Sequence, residues 1–214
     1  SPSAFVEDVG LTALSARLPE SSETRSDLLS AGAAATNDMM ALAWRILAWG
    51  GMHVENGKTL ARCDESWVEL CKEVAAGTFD RVGAYNAFAQ LRKSKTTKGL
   101  GPAYFTKLIY CLIPRGIARP PGYIMDQWVS CAINVLSVEP IVRVRKYTTA
   151  KTEGYIVSDS NDGNTYERYC RTIEALADVC GLAPDDLEIQ LMSKGGHRPA
   201  SWRSHVLQHR TPNP

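Results

Sequence analysis

The chain has 214 residues, of which 44% are hydrophobic, 22% charged and 8% aromatic. This length is typical of one domain or of one domain with an appendage, and the composition excludes collagen-like, low-complexity and largely disordered proteins. No apolar stretch approaches the roughly 20 residues of a membrane span, and the first ten residues lack the basic and then apolar pattern of a secretion signal, so we expect a cytoplasmic protein that does not bind membranes.

The net charge of +1 conceals an uneven distribution along the chain. Residues 91–151 contain eleven basic and two acidic side chains, a balance of +9, which leaves thirteen basic and twenty-one acidic residues elsewhere. Clustered Lys and Arg side chains bind the phosphates of nucleic acids, because binding releases condensed counterions. A solvated basic segment without a partner is the alternative interpretation of the charge alone.

The six cysteines are scattered along the chain without a C-x-x-C pair. That spacing argues against a zinc ribbon or an iron–sulfur cluster, both of which need closely spaced thiolates. We therefore expect no metal site and mostly buried, reduced thiols, since free cysteine behaves as a small hydrophobic residue.

Capping residues and apolar periodicity predict a series of helices in chain order. Their expected limits are the cap at residues 36–38 to Gly50-Gly51, Asp64 to Gly77, Asp80 into the basic stretch 93–98, about Pro102 to Leu112, Asp126 to Leu136, Tyr166 to Cys180, and Pro184 to Met192.

Residues 141–157 are an exception, because apolar and basic residues alternate there as in a short hairpin or extended arm. Residues 195–214 are rich in Pro, Arg and His without periodicity, so we expect an irregular tail. The predicted fold class is all-α with a short extended or β insertion near 141–157. We expect a single domain over residues 1–196 and a basic tail over 197–214.

The motif Lys98-Gly99-Leu100-Gly101 lies between two predicted helices and has Lys95 beside it. A Gly-apolar-Gly turn followed by a helix N-terminus lets a phosphate approach backbone N–H groups without meeting a Cβ atom. A purely structural helix connection is the alternative interpretation of this motif, although the basic neighbours favour phosphate binding.

About 25 residues further on, Asp126 follows the apolar residues Tyr123 to Met125 and opens a helix that carries Trp128. An Asp in this position is most often only an N-cap, which accepts hydrogen bonds from the first helical turn. A carboxylate is also the group that stabilises a positive charge on a sugar while a glycosidic bond breaks.

Together, the Gly-x-Gly hairpin, the Pro-containing connection and the Asp that opens a Trp-bearing helix resemble the helix-hairpin-helix DNA glycosylases, in particular the bacterial branch that includes 8-oxoguanine DNA glycosylases. The resemblance covers residues 36–136, and residues 166–196 are similar to the closing helices of that branch. It implies a helical fold of two halves around a cleft that receives a nucleotide flipped out of double-stranded DNA. It also implies no cofactor other than a monovalent cation held by the hairpin carbonyl groups.

The implied reaction is hydrolysis of the N-glycosidic bond of a modified base, which leaves an abasic site. In this family the matching Asp, here Asp126, stabilises the sugar cation and helps to activate the nucleophile. Bifunctional members carry a Lys where this chain has Ala103, so we expect a monofunctional enzyme with little lyase activity in which Asp126 orients water. Lys107 matches a base-pocket position, and we expect it to contact the base or to act as a relocated catalytic amine; a surface lysine is the alternative.

Further roles follow from the resemblance. Asn37 matches the residue that fills the gap left by the flipped nucleotide. Aromatic candidates for stacking on the base are Tyr104, Phe105, Tyr110 and Trp128, of which at least two should be core residues and Tyr104 and Trp128 are the pocket candidates. The DNA-binding residues are expected to be Lys95, Lys98, Gly99, Gly101, Asn37, Arg143 and Arg145.

The biological role stays open between base-excision repair of oxidised purines and defence against phage DNA that carries hypermodified bases. We expect a nucleoid-associated protein of bacterial type, without an obligate protein partner. The alternative function is a non-catalytic helix-hairpin-helix DNA-binding module, in which Asp126 is only a helix cap. A protein directed at RNA, or a structural protein, is a further alternative.

Overall fold

Helices form most of the chain in this computed structural model, which describes residues 1–34, 38–116, 120–148, 153–192 and 201–213. Two compact units are present, Ser1–Gly122 and Tyr123–Pro214. The predicted fold class, all-α with a short β insertion, is confirmed. None of the described helices combines the length and the apolar character needed to cross a bilayer. The domain boundary expected after residue 196 lies outside the described residues.

The first unit is helical throughout its regular structure. Its helices are α1 (Pro2–Val9), α2 (Thr12–Ser15), α3 (Arg25–Ala33), α4 (Met39–Trp49), α5 (Val54–Leu60), α6 (Ser66–Ala75), α7 (Arg81–Lys93) and α8 (Pro102–Leu112).

Local capping explains where the central helices of this unit begin. Asp38 caps α4 by accepting a hydrogen bond from the Ala41 N–H at 3.1 Å, and Asp80 caps α7 through the Gly83 N–H at 2.7 Å. Pro102 occupies the first turn of α8, where its missing N–H costs nothing. The predicted start of α7 at the Asp80 cap and the predicted limits of α8 are confirmed, and α7 ends at Lys93, at the beginning of the basic stretch.

The core of the first unit lies between α8 and the helices around it, α3, α4, α6 and α7. Phe105 on α8 is stacked on Phe88 with ring centroids 5.5 Å apart, and its ring meets the edge of Tyr85 at 5.0 Å. Phe105 and Tyr110 are almost fully buried, which confirms that at least two of the four aromatic candidates belong to the core. Because α8 is packed on several sides, the residues that it carries are held in fixed positions.

The second unit combines helices with one antiparallel hairpin. Its elements are α9 (Gln127–Leu136), β1 (Val144–Thr148), β2 (Glu153–Val157), α10 (Gly163–Cys180), α11 (Pro184–Met192) and α12 (Ser201–His209). The strands pair from Val144 opposite Val157 to Thr148 opposite Glu153, so the predicted hairpin is confirmed. The Asn134 amide bonds the backbone of Ile141 and Val142 and thereby joins α9 to the start of the arm.

The prediction of an irregular tail is wrong for residues 201–209, which form α12. This helix has only one buried residue, Val206, so it lacks the apolar stripe by which a helix is recognised in a sequence. It packs against α9, and the Arg203 guanidinium lies 3.9 Å from the centroid of the Trp128 ring. The helix is therefore stabilised by a cation–π contact and by one apolar anchor.

All six cysteines are unpaired. Four of them are buried, Cys63 is half-buried and Cys180 is exposed, which confirms that the thiols are mostly buried. Burial raises the pKa of Cys131 to about 11 despite the opposing positive charge of Arg210. At that pKa the thiol stays protonated at neutral pH, so Cys131 is a core residue and an inert one.

Candidate functional site

The connection from α7 to α8 contains two glycines with different roles. Gly99 has a φ of +89°, and a Cβ atom there would lie 2.3 Å from the Asn56 carbonyl oxygen, so the fold itself requires glycine. Gly101 has an ordinary φ of −80°, and among the described residues a Cβ atom there would meet only the Arg92 guanidinium, at 3.9 Å. The protein alone therefore does not require glycine at position 101.

Positive groups surround this turn. Lys95 and Lys98 are exposed, and Lys95 itself adopts a left-handed φ of 64°. Gly101 is the N-cap of α8 and supplies no side-chain acceptor for the first N–H groups of the helix. A helix N-terminus with such N–H groups carries a partial positive charge and is suited to bind an anion such as a phosphate.

Lys107 is a buried cation in the first unit, with only 8% of its surface exposed. Its Nζ donates a hydrogen bond to the Gly50 carbonyl oxygen at 2.5 Å, at the C-terminal end of α4, and lies 5.4 Å from the Tyr104 ring centroid. The half-buried Tyr104 accepts a hydrogen bond at its hydroxyl from the Asn56 amide at 3.4 Å. A helix C-terminus and an aromatic face both stabilise positive charge. The structure thus excludes the surface-lysine alternative.

Asp126 lies in the second unit, where it is 8% exposed and forms the N-cap of α9. Its Oδ1 accepts hydrogen bonds from the N–H groups of Trp128 at 2.8 Å and Val129 at 3.0 Å. Within the described part of the chain, Oδ2 accepts no hydrogen bond. One carboxylate oxygen is thus fixed by the helix.

Three side chains that the sequence did not predict as site residues hold the backbone before Asp126. The Tyr166 hydroxyl donates to the Tyr123 carbonyl oxygen at 2.8 Å, and the Tyr169 hydroxyl donates to the Ile124 carbonyl oxygen at 2.5 Å. The Ile124 N–H donates to Glu188 Oε1 at 2.5 Å. These partners come from α10 and α11, and no local sequence signal connects them to residue 124.

Tyr169 is fully buried beside negative charge. Burial, together with the charges of Glu188 and Asp126, raises the pKa of Tyr169 well above its ordinary value of 10. Its hydroxyl therefore stays protonated, and remains a hydrogen-bond donor, throughout the neutral pH range.

Trp128 is half-buried and is covered by cations from the C-terminal segment. The guanidinium carbons of Arg203 and Arg210 lie 3.9 and 5.7 Å from its ring centroid, and Arg210 also lies 4.2 Å from the Tyr155 ring. Arg203 further donates a hydrogen bond to the Met192 carbonyl oxygen at 3.0 Å. A base that stacks on Trp128 would have to use ring surface that Arg203 leaves uncovered.

Arg143 and Arg145 are exposed in the arm, the segment predicted over residues 141–157. Arg143 donates a hydrogen bond to the Ser160 carbonyl oxygen at 3.2 Å, while the neighbouring Lys146 forms an ion pair with Glu153 at 2.8 Å. Asn37, the remaining DNA-binding candidate, lies outside the described residues. Of the candidates that the structure describes, Lys107 and Tyr104 meet within the first unit, and Asp126 and Trp128 adjoin within the second.

A cavity of about 490 Å³ in the first unit was not predicted. Its walls include Leu11, Met40, Trp44 and Trp67, and they include none of the described side chains proposed above for the site. Elsewhere in the described ranges, His, Cys, Asp and Glu side chains form no group of three or more that is placed to hold a metal ion.

Comparison with known proteins gives one match. The model of a family described as "putative 8-oxoguanine DNA glycosylase OGG-like protein" matches residues 7–192. The chain matches no curated protein and no solved structure. The family match includes the α7–α8 hairpin, Lys107 and Asp126, and it ends before α12.

Proposed function

Because the chain belongs to the family of OGG-like 8-oxoguanine DNA glycosylases, we propose that it hydrolyses the N-glycosidic bond of a modified base in double-stranded DNA. The base is flipped out of the stack, because its glycosidic bond is inaccessible within the duplex. The product is DNA with an abasic site. Membership of the family makes DNA the substrate class, and the residues below supply the steps of the reaction.

The way in which the Asp126 carboxylate is held is the observation that carries this proposal. Positive charge develops on the deoxyribose as the bond to the base breaks, and a fixed anion in a partly dry site stabilises it better than mobile water does. Oδ1 is fixed by the first N–H groups of α9, so Oδ2 is the atom we assign to the sugar and to the attacking water. The water oxygen bonds to the sugar carbon while one water proton passes to Asp126 Oδ2 and from there to solvent. The base departs with the electron pair of the broken bond and takes up one proton from solvent.

The α7–α8 hairpin is proposed to bind the DNA backbone. Lys95 and Lys98 neutralise phosphates, and the open surface at Gly101 lets one phosphate reach the N-terminus of α8. Arg143 and Arg145 on the arm add contacts that carry no sequence information. Asn37 keeps its proposed role of filling the space of the flipped nucleotide.

We assign Lys107 and Tyr104 to the base pocket, with Trp128 as the third candidate. The Lys107 amine is held by the Gly50 carbonyl and by the end of α4, an arrangement that favours a charged hydrogen-bond donor over a nucleophile. Ala103 stands where bifunctional relatives carry Lys. Both observations support a monofunctional hydrolase with little or no lyase activity.

The chemistry proposed here uses no cofactor. A monovalent cation at the hairpin remains a prediction, for which the carbonyl groups of the turn before Gly101 are the ligands. Carbonyl oxygens of this turn are suitable ligands: among the described residues, the Lys98 carbonyl oxygen accepts only from the weak thiol donor of Cys63, at 3.8 Å. No step of the reaction depends on this cation.

The first experiment measures base release from a panel of DNAs, followed by alkaline cleavage at abasic sites. The panel comprises duplexes with 8-oxoguanine, uracil or an alkylated base, together with unmodified and hypermodified phage DNA. We expect release from at least one of these, abolished by Asp126→Asn and retained by Asp162→Asn. Asp162 is the matched control, because it is also the N-cap of a helix in the second unit.

The panel also separates the alternatives. Release of 8-oxoguanine supports a repair enzyme, whereas release from hypermodified phage DNA alone supports a defence enzyme. Binding without release across the whole panel would identify a non-catalytic DNA-binding module with Asp126 as a cap. Tighter binding to single-stranded RNA than to duplex DNA at the same salt concentration would favour the RNA-directed alternative.

Borohydride trapping tests the monofunctional assignment. A hydrolase that uses water forms no Schiff base, so we expect no covalent complex with the DNA that supports base release. A covalent complex that disappears in Lys107→Ala would show instead that Lys107 is a catalytic amine.

A further inference from the structure

Residues 122–125, which lead into Asp126, form a buried segment with neither helix nor strand. Buried backbone N–H and C=O groups need hydrogen-bond partners, and a segment outside secondary structure does not obtain them from a regular backbone ladder. Side chains must therefore supply those partners. The side chains that supply these partners also fix the backbone next to Asp126.

Ile124 is the residue at which this support is concentrated. Its carbonyl oxygen accepts from the Tyr169 hydroxyl on α10, and its N–H donates to Glu188 on α11, both at 2.5 Å. Ile124, Tyr169 and Glu188 are each 0% exposed. Two different helices thus hold the two polar groups of one residue, and we call Tyr169 and Glu188 the Ile124 clamp.

Asp126 follows the Ile124 clamp by two residues. On its other side, Oδ1 is bound by the N–H groups of Trp128 and Val129. The carboxylate is therefore held from both directions, upstream by the clamp and downstream by α9. Loss of either support would let Oδ2 move, and a small misplacement of a catalytic group is costly to the reaction.

We propose that Tyr169 and Glu188 are positioning residues that set the location of the Asp126 carboxylate for the stabilisation of a positively charged sugar. This inference rests on the proposed function, since it assumes that Asp126 faces that charge. Neither residue is assigned a contact with DNA. The Tyr166 hydroxyl, which holds the Tyr123 carbonyl, supports the same segment one residue earlier.

A pair of abasic-site duplexes tests the inference without knowledge of the excised base. One duplex contains a pyrrolidine abasic nucleotide, whose protonated nitrogen mimics the sugar cation, and the other contains the neutral tetrahydrofuran abasic nucleotide. Analogues of a transition state bind more tightly than ground-state ligands. The ratio of the two Kd values at one salt concentration therefore measures how well the protein places its negative charge.

We expect the wild-type protein to prefer the cationic duplex and Asp126→Asn to lose that preference. Tyr169→Phe should lower the preference by about tenfold, less than the roughly 10²-fold that a full ångström of misplacement costs. Tyr155→Phe is the matched control, because the Tyr155 hydroxyl also donates to a backbone carbonyl, that of Arg210, at 3.4 Å. It should keep the wild-type ratio. A general loss of DNA affinity cancels in the ratio, so a merely structural role does not change it.

A second pair of variants serves if Tyr169→Phe does not fold. Glu188→Gln keeps an acceptor oxygen for the Ile124 N–H and should keep the wild-type ratio. Glu188→Met has a similar shape without an acceptor and should lower it.

Two results would overturn the inference, and they differ. If Asp126→Asn loses the preference but Tyr169→Phe and Glu188→Met keep it, the Ile124 clamp has no positioning role and the proposed function stands. If Asp126→Asn keeps the wild-type ratio, Asp126 does not face the sugar charge, and the proposed function is wrong together with the clamp.

Discussion

At the scale of single residues, the path of the Lys107 side chain depends on the absence of a side chain at Gly50. Gly50 ends α4, and a Cβ atom there would lie 2.5 Å from Cδ and 3.3 Å from Cε of Lys107. The absence of a side chain at Gly50 is what allows the Lys107 stem to pass and its amine to reach the Gly50 carbonyl. The position of the proposed pocket lysine therefore depends on a glycine 57 residues earlier.

We predict that Gly50→Ala displaces the Lys107 side chain and reduces base release by about tenfold, less than the roughly 10²-fold that a misplacement of a full ångström costs. Lys107→Met should cause a similar loss. Single-turnover base release, measured together with thermal unfolding, checks both.

Gly116→Ala is the control for Gly50→Ala, because a Cβ atom at Gly116 would meet no described residue within 4 Å. Wild-type rates in both Gly50→Ala and Lys107→Met would remove Lys107 from the base pocket.

At the scale of elements, the two glycines of the α7–α8 turn allow folding and DNA binding to be separated. We predict that Gly99→Ala destabilises the protein by about 2 kcal/mol or more, because it combines a left-handed φ with a clash against the Asn56 carbonyl. Gly101→Ala should leave stability within about 0.5 kcal/mol of wild type, as expected at a site without a steric conflict.

Gly101→Ala should nevertheless weaken binding to duplex DNA, because the new methyl group would stand where the phosphate approaches α8. Thermal unfolding and DNA titration of the two variants check this pair. Unchanged DNA affinity in Gly101→Ala would mean that no phosphate lies against this turn.

Asp162, the N-cap of α10, is expected to affect the stability of the protein in acid. Hydrogen bonds from Thr165 lower the pKa of Asp162 below its ordinary value of 3.8. A carboxyl group with a lowered folded-state pKa contributes stability above its unfolded-state pKa and loses that contribution as the pH falls through the folded-state value. We therefore expect Asp162→Asn to destabilise the protein at neutral pH and to flatten the decline in stability below pH 3.8.

Denaturant unfolding on both sides of that pH measures this effect. Asp178→Asn, at an exposed position on the same helix, should leave the curve unchanged. An equal decline in the wild type and in Asp162→Asn would show that the cap does not contribute to acid sensitivity.

Elements with local signals could be predicted, and those that depend on distant partners could not. The starts of α7 and α8 follow from Asp80 and Pro102, which act within one turn of their own helix. The helix α3 has a capping box at Thr24 and Asp27, yet only Leu28 of its residues is buried, so no apolar stripe indicates it.

The same contrast applies to the candidate site. Asp126 could be predicted from the sequence because the helix that it caps and the apolar residues before it are adjacent to it in the chain. The partners of the Ile124 clamp are 45 and 64 residues away from Ile124, and no periodicity connects them. Their chemistry, a buried hydroxyl and a buried carboxylate, is visible only when the burial of each residue is known.

At the scale of the whole molecule, the uneven charge predicts how DNA binding responds to salt. Each phosphate contact by a Lys side chain contributes about one unit to the slope of log K against log salt concentration. We expect Lys95→Gln and Lys98→Gln each to reduce the slope by about one.

Lys72→Gln is the control for the salt measurement. Lys72 lies outside the basic segment 91–151 and pairs with Glu69 at 2.7 Å, so the slope should not change. Titrations of one duplex at several salt concentrations provide the measurement. Equal slopes in all three variants would place the DNA contact away from the α7–α8 turn.

The C-terminal segment has a practical consequence for anyone who prepares a shortened protein. The backbone of Asn213 pairs with Val144 through two hydrogen bonds, of 2.9 and 2.8 Å, and Arg203 covers Trp128, although the family match ends at residue 192. A fragment cut at that boundary would present an indole and an open strand edge to solvent, and such edges recruit other chains. We expect it to be prone to aggregation, and its tryptophan fluorescence to shift to the red. The part of the chain that the family model matches is thus smaller than the part that should be expressed.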